Sequence, residues 1–196
     1  MPLGAHRTAL MGVAGVSTGD VVLLSSQTAS SDSTIEFTSG ITSTYGEYIF
    51  KFYNLHPSGS GDFGFQVNAS SQSGYNETIT STFFRAIHNE GNTAASLGYV
   101  TGSDQAQGTS FQELARTMST DNDAGLAGEL HLFNPSSTTY VKHFYATTQG
   151  ALESDYSQNA FAAGYINVTA AITDVQFKFH TGNIDEGTIK MWGVKN

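Results

Sequence analysis

Apolar and polar residues alternate along most of the chain, with aromatic and β-branched side chains on the apolar beat. A period of two marks strands that bury one face and expose the other. Thr34-Ile-Glu-Phe-Thr shows it, as does Asp62-Phe-Gly-Phe-Gln-Val-Asn, where Phe63, Phe65 and Val67 share a side. Tyr48-Ile-Phe-Lys-Phe-Tyr-Asn-Leu-His-Pro is the strongest early strand. Phe50 and Phe52 take one side of it while Ile49, Tyr53 and Leu55 take the other, which predicts a central strand covered on both faces. Pro57, Gly59 and Gly61 end it, because proline cannot donate to a ladder.

Further strands are predicted over residues 21–29, 78–88, 96–100, 126–133, 138–148, 161–169, 175–180 and 187–194. Asn134-Pro-Ser-Ser joins two of them as a hairpin. Residues 101–108 and 150–158 read as loops, and Asp121-Asn-Asp-Ala-Gly as a turn. Phe111, Leu114, Ala115 and Met118 stand at helical spacing, so a short helix and a twisted strand both fit there. The sum is roughly nine to eleven short strands, about 8–15 residues apart, with Gly, Asn and Asp turns between most of them. That spacing predicts an all-β, antiparallel β-sandwich or jelly-roll-like fold, since a parallel sheet would need crossover helices.

Residues 1–20, with Gly4, Gly12, Gly15 and Gly19 and little periodicity, read as an extended N-terminal arm ahead of one sandwich domain over residues 21–196. The arm has one positive residue and a glycine-broken apolar stretch, unlike a signal peptide. Its candidate assembly contacts are Leu3, His6, Arg7, Leu10 and Met11.

Composition narrows the function. Charged residues make up 13% of the chain and hydrophobic ones 39%, so the solvent faces must be Ser, Thr, Asn and Gln, which suits strands better than helices. The net charge of −9, from 17 acids and 8 bases without a basic cluster, excludes nucleic acid as a partner because no counterions would be released. The absence of cysteine excludes disulfides, thiolate zinc sites and cysteine nucleophiles. No apolar run reaches the roughly 18–20 residues of a membrane helix, and no membrane partner is expected.

Candidate chemistry is sparse. His6, His56, His88, His131, His143 and His180 include no close-spaced pair of the kind zinc uses, although His131 and His143 flank the hairpin and could face each other. Thr120, Asp121, Asn122 and Asp123 are oxygen-rich but lack the full calcium-loop spacing, so they read as a turn. Asp185 and Glu186 read as acids in a hairpin turn. Glycoside hydrolysis would need a carboxylate pair such as Glu129 with Glu113 or Asp123, and nothing in the sequence fixes that geometry. No nucleophile elbow and no phosphate-binding glycine loop occur. The expectation is therefore a protein that is not an enzyme, with no catalytic residue, cofactor or metal. The candidate ligand-facing loop residues are Tyr75, Tyr99, Asp104, Tyr156 and Asn159, where aromatic rings lie near amides and acids. Sugar binding and ring burial at a sandwich edge both fit them.

Three segments occur in order: Glu47-Tyr-Ile-Phe-Lys-Phe-Tyr-Asn-Leu-His-Pro, His131-Leu-Phe-Asn-Pro-Ser-Ser-Thr-Thr-Tyr-Val-Lys-His-Phe and Gly182-Asn-Ile-Asp-Glu-Gly-Thr-Ile-Lys-Met-Trp-Gly-Val. Over residues 34–196 the chain resembles a family of small β-rich virion surface proteins of tailed bacteriophages, marine ones especially. The terminal Gly-Thr-Ile-x-x-x-Gly pattern is also similar to the ends of phage fibre and appendage proteins. The resemblance implies a non-enzymatic virion structural protein, assembled in the host cytoplasm and placed on the particle surface. The expected role is a capsid decoration or cement protein, homo-oligomeric, whose partners are other capsid or tail proteins. The alternative it implies is a tail-fibre or appendage tip that binds host glycan. No family catalytic residue accompanies it.

Overall fold

The computed structural model describes residues 20–195, and every regular element among them is a strand. The strands are β1 (Val21–Thr28), β2 (Ile35–Phe37), β3 (Glu47–Pro57), β4 (Gly61–Ala69), β5 (Ile79–Asn89), β6 (Ala95–Tyr99) and β7 (Ala106–Gly108). They continue with β8 (Gln112–Met118), β9 (Leu126–Phe133), β10 (Lys142–Leu152), β11 (Tyr156–Ile166), β12 (Ile172–Phe179) and β13 (Ile184–Val194). All pairings are antiparallel.

A large layer runs β1-β13-β3-β9-β10-β11-β5, with β6 and β7 both on the far side of β5; a small layer runs β8-β4-β12-β2. The layers meet at two seams. Leu152 of β10 pairs with Met118 of β8, and Ile184 of β13 bridges Asp32 just before β2. The result is an antiparallel sandwich whose sheet is nearly closed into a barrel.

Alternation puts the phenylalanines between the layers. Phe177 of β12 is fully buried and lies 5.3 Å from Phe50 and 5.4 Å from Phe52 of the large layer, ring centre to ring centre. It also packs on Phe37, Phe63 and Phe65 of its own layer at 6.3, 6.0 and 6.4 Å. Phe65 and Phe144 continue the contact toward β10 at 5.1 Å. Each such ring removes apolar area from water, worth about 1.5–3 kcal/mol when fully buried.

Several local expectations change. The strand β3 is covered on one face only: Phe50 and Phe52 are buried while Tyr53 is exposed. Asn54 then takes φ 49°, the register shifts between Phe52 and Leu55, and Leu55 turns inward instead of outward. The segment at helical spacing is the strand β8. Register shifts against β4 and a left-handed Thr117 bury the adjacent Leu114 and Ala115 together with Met118, which imitates a helical period. Residues 106–108, read as loop, supply the short β7, and 138–141, read as strand, connect β9 to β10.

Residues 150–158 are mostly strand rather than loop. β10 and β11 pair to their ends and turn at Ser154 and Asp155, both left-handed. Asp185 and Glu186 lie in β13, not in a hairpin turn, because β12 and β13 belong to different layers; Glu186 pairs with His56. The expected assembly contacts Leu3, His6, Arg7, Leu10 and Met11 lie outside the described residues.

Candidate functional site

The outer face of the large layer carries the densest set of exposed aromatic side chains. Strict register builds it. Trp192, Ile49, His131, Tyr145, Ala163 and Thr82 stand opposite one another on successive strands from β13 to β5. The next row runs Lys190, Lys51, Glu129, Thr147, Phe161, Phe84 and Tyr99, ending on β6. Their chain neighbours point into the core, as the alternating burial of β10 and β11 shows.

Two clusters divide this face. In the first, the His131 ring stacks on Tyr145 with centres 4.4 Å apart, and Phe133 lies 5.7 Å from Tyr145. His131 Nδ1 faces the Glu47 carboxylate, and its Nε2 is 3.1 Å from Glu129 Oε1. Glu129 also lies 3.3 Å from Lys51 Nζ. Burial alone would raise the Glu129 pKa, but the close contacts with His131 and Lys51 outweigh it and hold the carboxyl below its usual value. Burial, then the Glu47 and Glu129 charges, push the Tyr145 hydroxyl up.

The second cluster is more apolar. Phe84 and Phe161 stack with centres 4.8 Å apart, Tyr99 pairs opposite Phe84, and Leu97 stands opposite Ala86. Phe84 is 41% exposed and Leu97 74%. Between the clusters, Tyr145, Thr147, Phe161 and Phe84 frame a shallow hollow of about 180 Å³. An ordinary solvent face of an antiparallel sheet is polar, so the exposed Phe84, Tyr99, Leu97 and Tyr145 make this face the candidate for a contact.

The predicted ligand residues divide by position. Tyr99 and Asn159 fall on this outer face, on β6 and β11 rather than on loops. The Tyr99 hydroxyl donates to Asp104 at 2.5 Å, which raises its pKa. Tyr156 begins β11, packs partly on the core, and lines a groove with Asp121, Asp123 and Asp155. Tyr75 lies elsewhere: its hydroxyl donates to Glu36 at 3.2 Å, and burial followed by the Glu36 charge pushes its pKa up. The five therefore do not form one site.

Three charged groupings lie off the aromatic face. Asp123, Asp185, Glu186, His56, Asn54 and Asn122 surround a cleft of about 590 Å³. The Asp121 turn is closed by its own bonds, Ser119 Oγ to Asp121 Oδ2 at 2.9 Å and Ala124 N to Asp121 O at 2.8 Å. Asp62, Glu113 and His180 offer ligand atoms within 4.8 Å of one another. The Arg116 Nε already sits 3.4 Å from Glu113 Oε2 and 4.0 Å from Asp62 Oδ1, so that grouping has its own cation. Burial, and then the Asp62 charge against opposing contacts, raise the Glu113 pKa. The carboxylates considered for hydrolysis are dispersed: Glu129 on the outer face, Glu113 on β8 and Asp123 in the turn before β9. His131 is engaged by Glu47, Glu129 and Tyr145, while His143 packs against Tyr165.

No family model matches the chain, and no curated protein does. Among solved structures, a structural-genomics protein of unknown function from Bacteroides ovatus matches 52% of this chain at 6% identity and a TM-score of 0.29. This chain spans 45% of the length of that protein. A likeness of that size carries no functional inference.

Proposed function

We propose that this protein is a non-enzymatic structural module of a tailed-bacteriophage particle, a capsid decoration protein that docks on shell protein through the outer face of its large layer. One observation carries the reading: Phe84, Phe161, Tyr99, Leu97 and Tyr145 stand in register on a sheet face that no part of the described chain covers. Aromatic anchors at the centre of such a patch supply most of the energy of a protein contact. The paired charges Lys51, Glu129, His131 and Glu47 border it and fix orientation more than they add affinity. Symmetric copies on a lattice multiply a modest contact.

The test uses particles freed of this protein and incubated with the purified full chain. Replacing Phe84, Leu97 and Tyr145 together by Asp lowers bound copies in co-sedimentation by roughly tenfold at fixed concentration. The circular dichroism spectrum stays that of the parent, since these side chains lie outside the core. Full occupancy by the triple variant would overturn the docking role.

A further inference from the structure

We propose that the groove beneath Tyr140, between the β9–β10 connection and the chain around Tyr45, is a binding site for an uncharged oligosaccharide. The groove measures about 940 Å³, and Tyr45, Phe133, Asn134, Ser137, Tyr140 and His143 line it. Sites for small ligands span about 300–1,000 Å³ and combine aromatic walls with a few placed polar groups. None of its lining residues is Asp, Glu, Lys or Arg, in a chain whose net charge is −9. A phosphate or a uronic acid calls for a cationic fork or ammonium, which the lining does not offer.

Tyr140 is 73% exposed, yet its backbone is tightly held. The Ser137 hydroxyl accepts from the N–H groups of Thr139 and Tyr140 at 3.2 and 3.3 Å. Behind the groove, the buried ammonium of Lys142 donates to the carbonyls of Tyr140, Val168 and Thr169 at 2.8, 3.1 and 3.1 Å. Asn134 adopts φ 44°, and its N–H bonds Gly46 O at 2.6 Å, which ties the other wall in place. On the floor, the Tyr45 ring lies so close over Gly193 that a Cβ there would meet it at 2.6 Å.

An exposed ring on an immobilised backbone loses little freedom when a ligand arrives. The negative face of an aromatic ring accepts the weakly positive C–H edge of a pyranose. Hydroxyl, amide and imidazole groups at Ser137, Asn134 and His143 can each exchange hydrogen bonds with sugar hydroxyls. Ring faces and uncharged donors together fit a neutral sugar chain better than an ion or a wholly apolar ligand. The site goes beyond the docking role, and its test needs no particle.

The purified full chain is applied to an array of hexose, deoxyhexose and N-acetylhexosamine oligosaccharides, with oligogalacturonate and decaproline as the acidic and peptide comparisons. Binding to at least one uncharged glycan is expected. By titration calorimetry with that glycan, Tyr140→Ala weakens affinity about tenfold or more, while Tyr140→Phe keeps it within about threefold, because the ring and not its hydroxyl carries the contact. An array blank for uncharged glycans, preference for oligogalacturonate or decaproline, or unchanged affinity in Tyr140→Ala would overturn the proposal. A Phe84→Asp, Leu97→Asp double variant, which leaves Tyr145 and its neighbour Phe133 in place, retains glycan binding, so failure of one site is separable from failure of the other.

Discussion

Replacing Phe177 and Phe84 by alanine, one at a time, compares the same chemical change on the two sides of the large layer. Phe177 is fully enclosed and touches rings from both layers. Deleting a buried Phe costs about 3–5 kcal/mol, and its aromatic pairs, each worth up to about 1.5 kcal/mol, place this one near the upper end. With a urea slope of about 2 kcal/mol/M, a loss of about 4 kcal/mol lowers the unfolding midpoint by about 2 M. Phe84 is 41% exposed and, among the described residues, has a single close ring partner, Phe161. Its removal leaves no enclosed cavity and costs about 1 kcal/mol, or about 0.5 M in midpoint. Fluorescence-detected urea unfolding of both variants decides the matter. Equal midpoint shifts, or a Phe177→Ala shift under about 0.5 M, would refute the account of Phe177 as the joint between the layers.

Two further outcomes follow from local geometry. Gly187 has φ +109°, and an added Cβ would lie 2.5 Å from Asn54 O, so Gly187→Ala is strained twice over. It lowers the thermal midpoint by about 5 °C for a cost of about 2 kcal/mol, whereas Gly98→Ala, with nothing within 4 Å of the new Cβ, leaves it unchanged. Glu129, ordinarily titrating near 4.5, is depressed in the fold, so its contribution is present above that value and fades as pH falls through the lower folded value. Urea midpoints followed downward from neutral pH should drop less steeply below pH 4.5 in Glu129→Gln than in the parent. A parallel pair of curves would mean the His131 and Lys51 contacts do not hold this carboxylate.

The fold class is readable in the sequence because alternation survives in the strands that build the core. Phe63, Phe65 and Val67, and likewise Val175, Phe177 and Phe179, sit at period two and are all buried. What escapes is every place where a bulge breaks the period. Leu55 changes sides after a left-handed Asn54, and Leu114 and Ala115 are buried as neighbours; neither site has a glycine to announce the shift. Pairing is equally hidden. The chain after His180 passes between layers, so Asp185 and Glu186 resemble turn residues in sequence while lying in a strand against β3. The outer aromatic face is hidden for a different reason. Phe83 and Phe84 are adjacent and alike, and only the register with β11 sends Phe83 into the core and Phe84 to the surface. Lys142 carries no signal either: as a lone lysine in a strand it reads as a solvated charge, whereas its ammonium is spent on three carbonyls.

The two outer faces of the sandwich are treated in opposite ways, which is the physical ground for the proposed docking surface. On the small layer, the outward positions of β4 include Gly64 and Gln66, and Gln66 is fully buried by the chain's own connections. Its amide donates to the carbonyls of Glu77, Thr109 and Ser110 at 2.9, 3.2 and 3.1 Å. Where this protein covers a sheet face itself, it uses polar side chains with their partners supplied, as burial of polar groups requires. The large layer is the reverse: its outer face carries stacked rings and an exposed leucine, with no loop of the described chain folded over them. Solubility alone favours the Ser and Thr that the chain has in abundance, so rings at Phe84, Phe161 and Tyr145 run against the composition of the rest of the surface. Apolar area held in water at a fixed register is recovered only when another surface covers it.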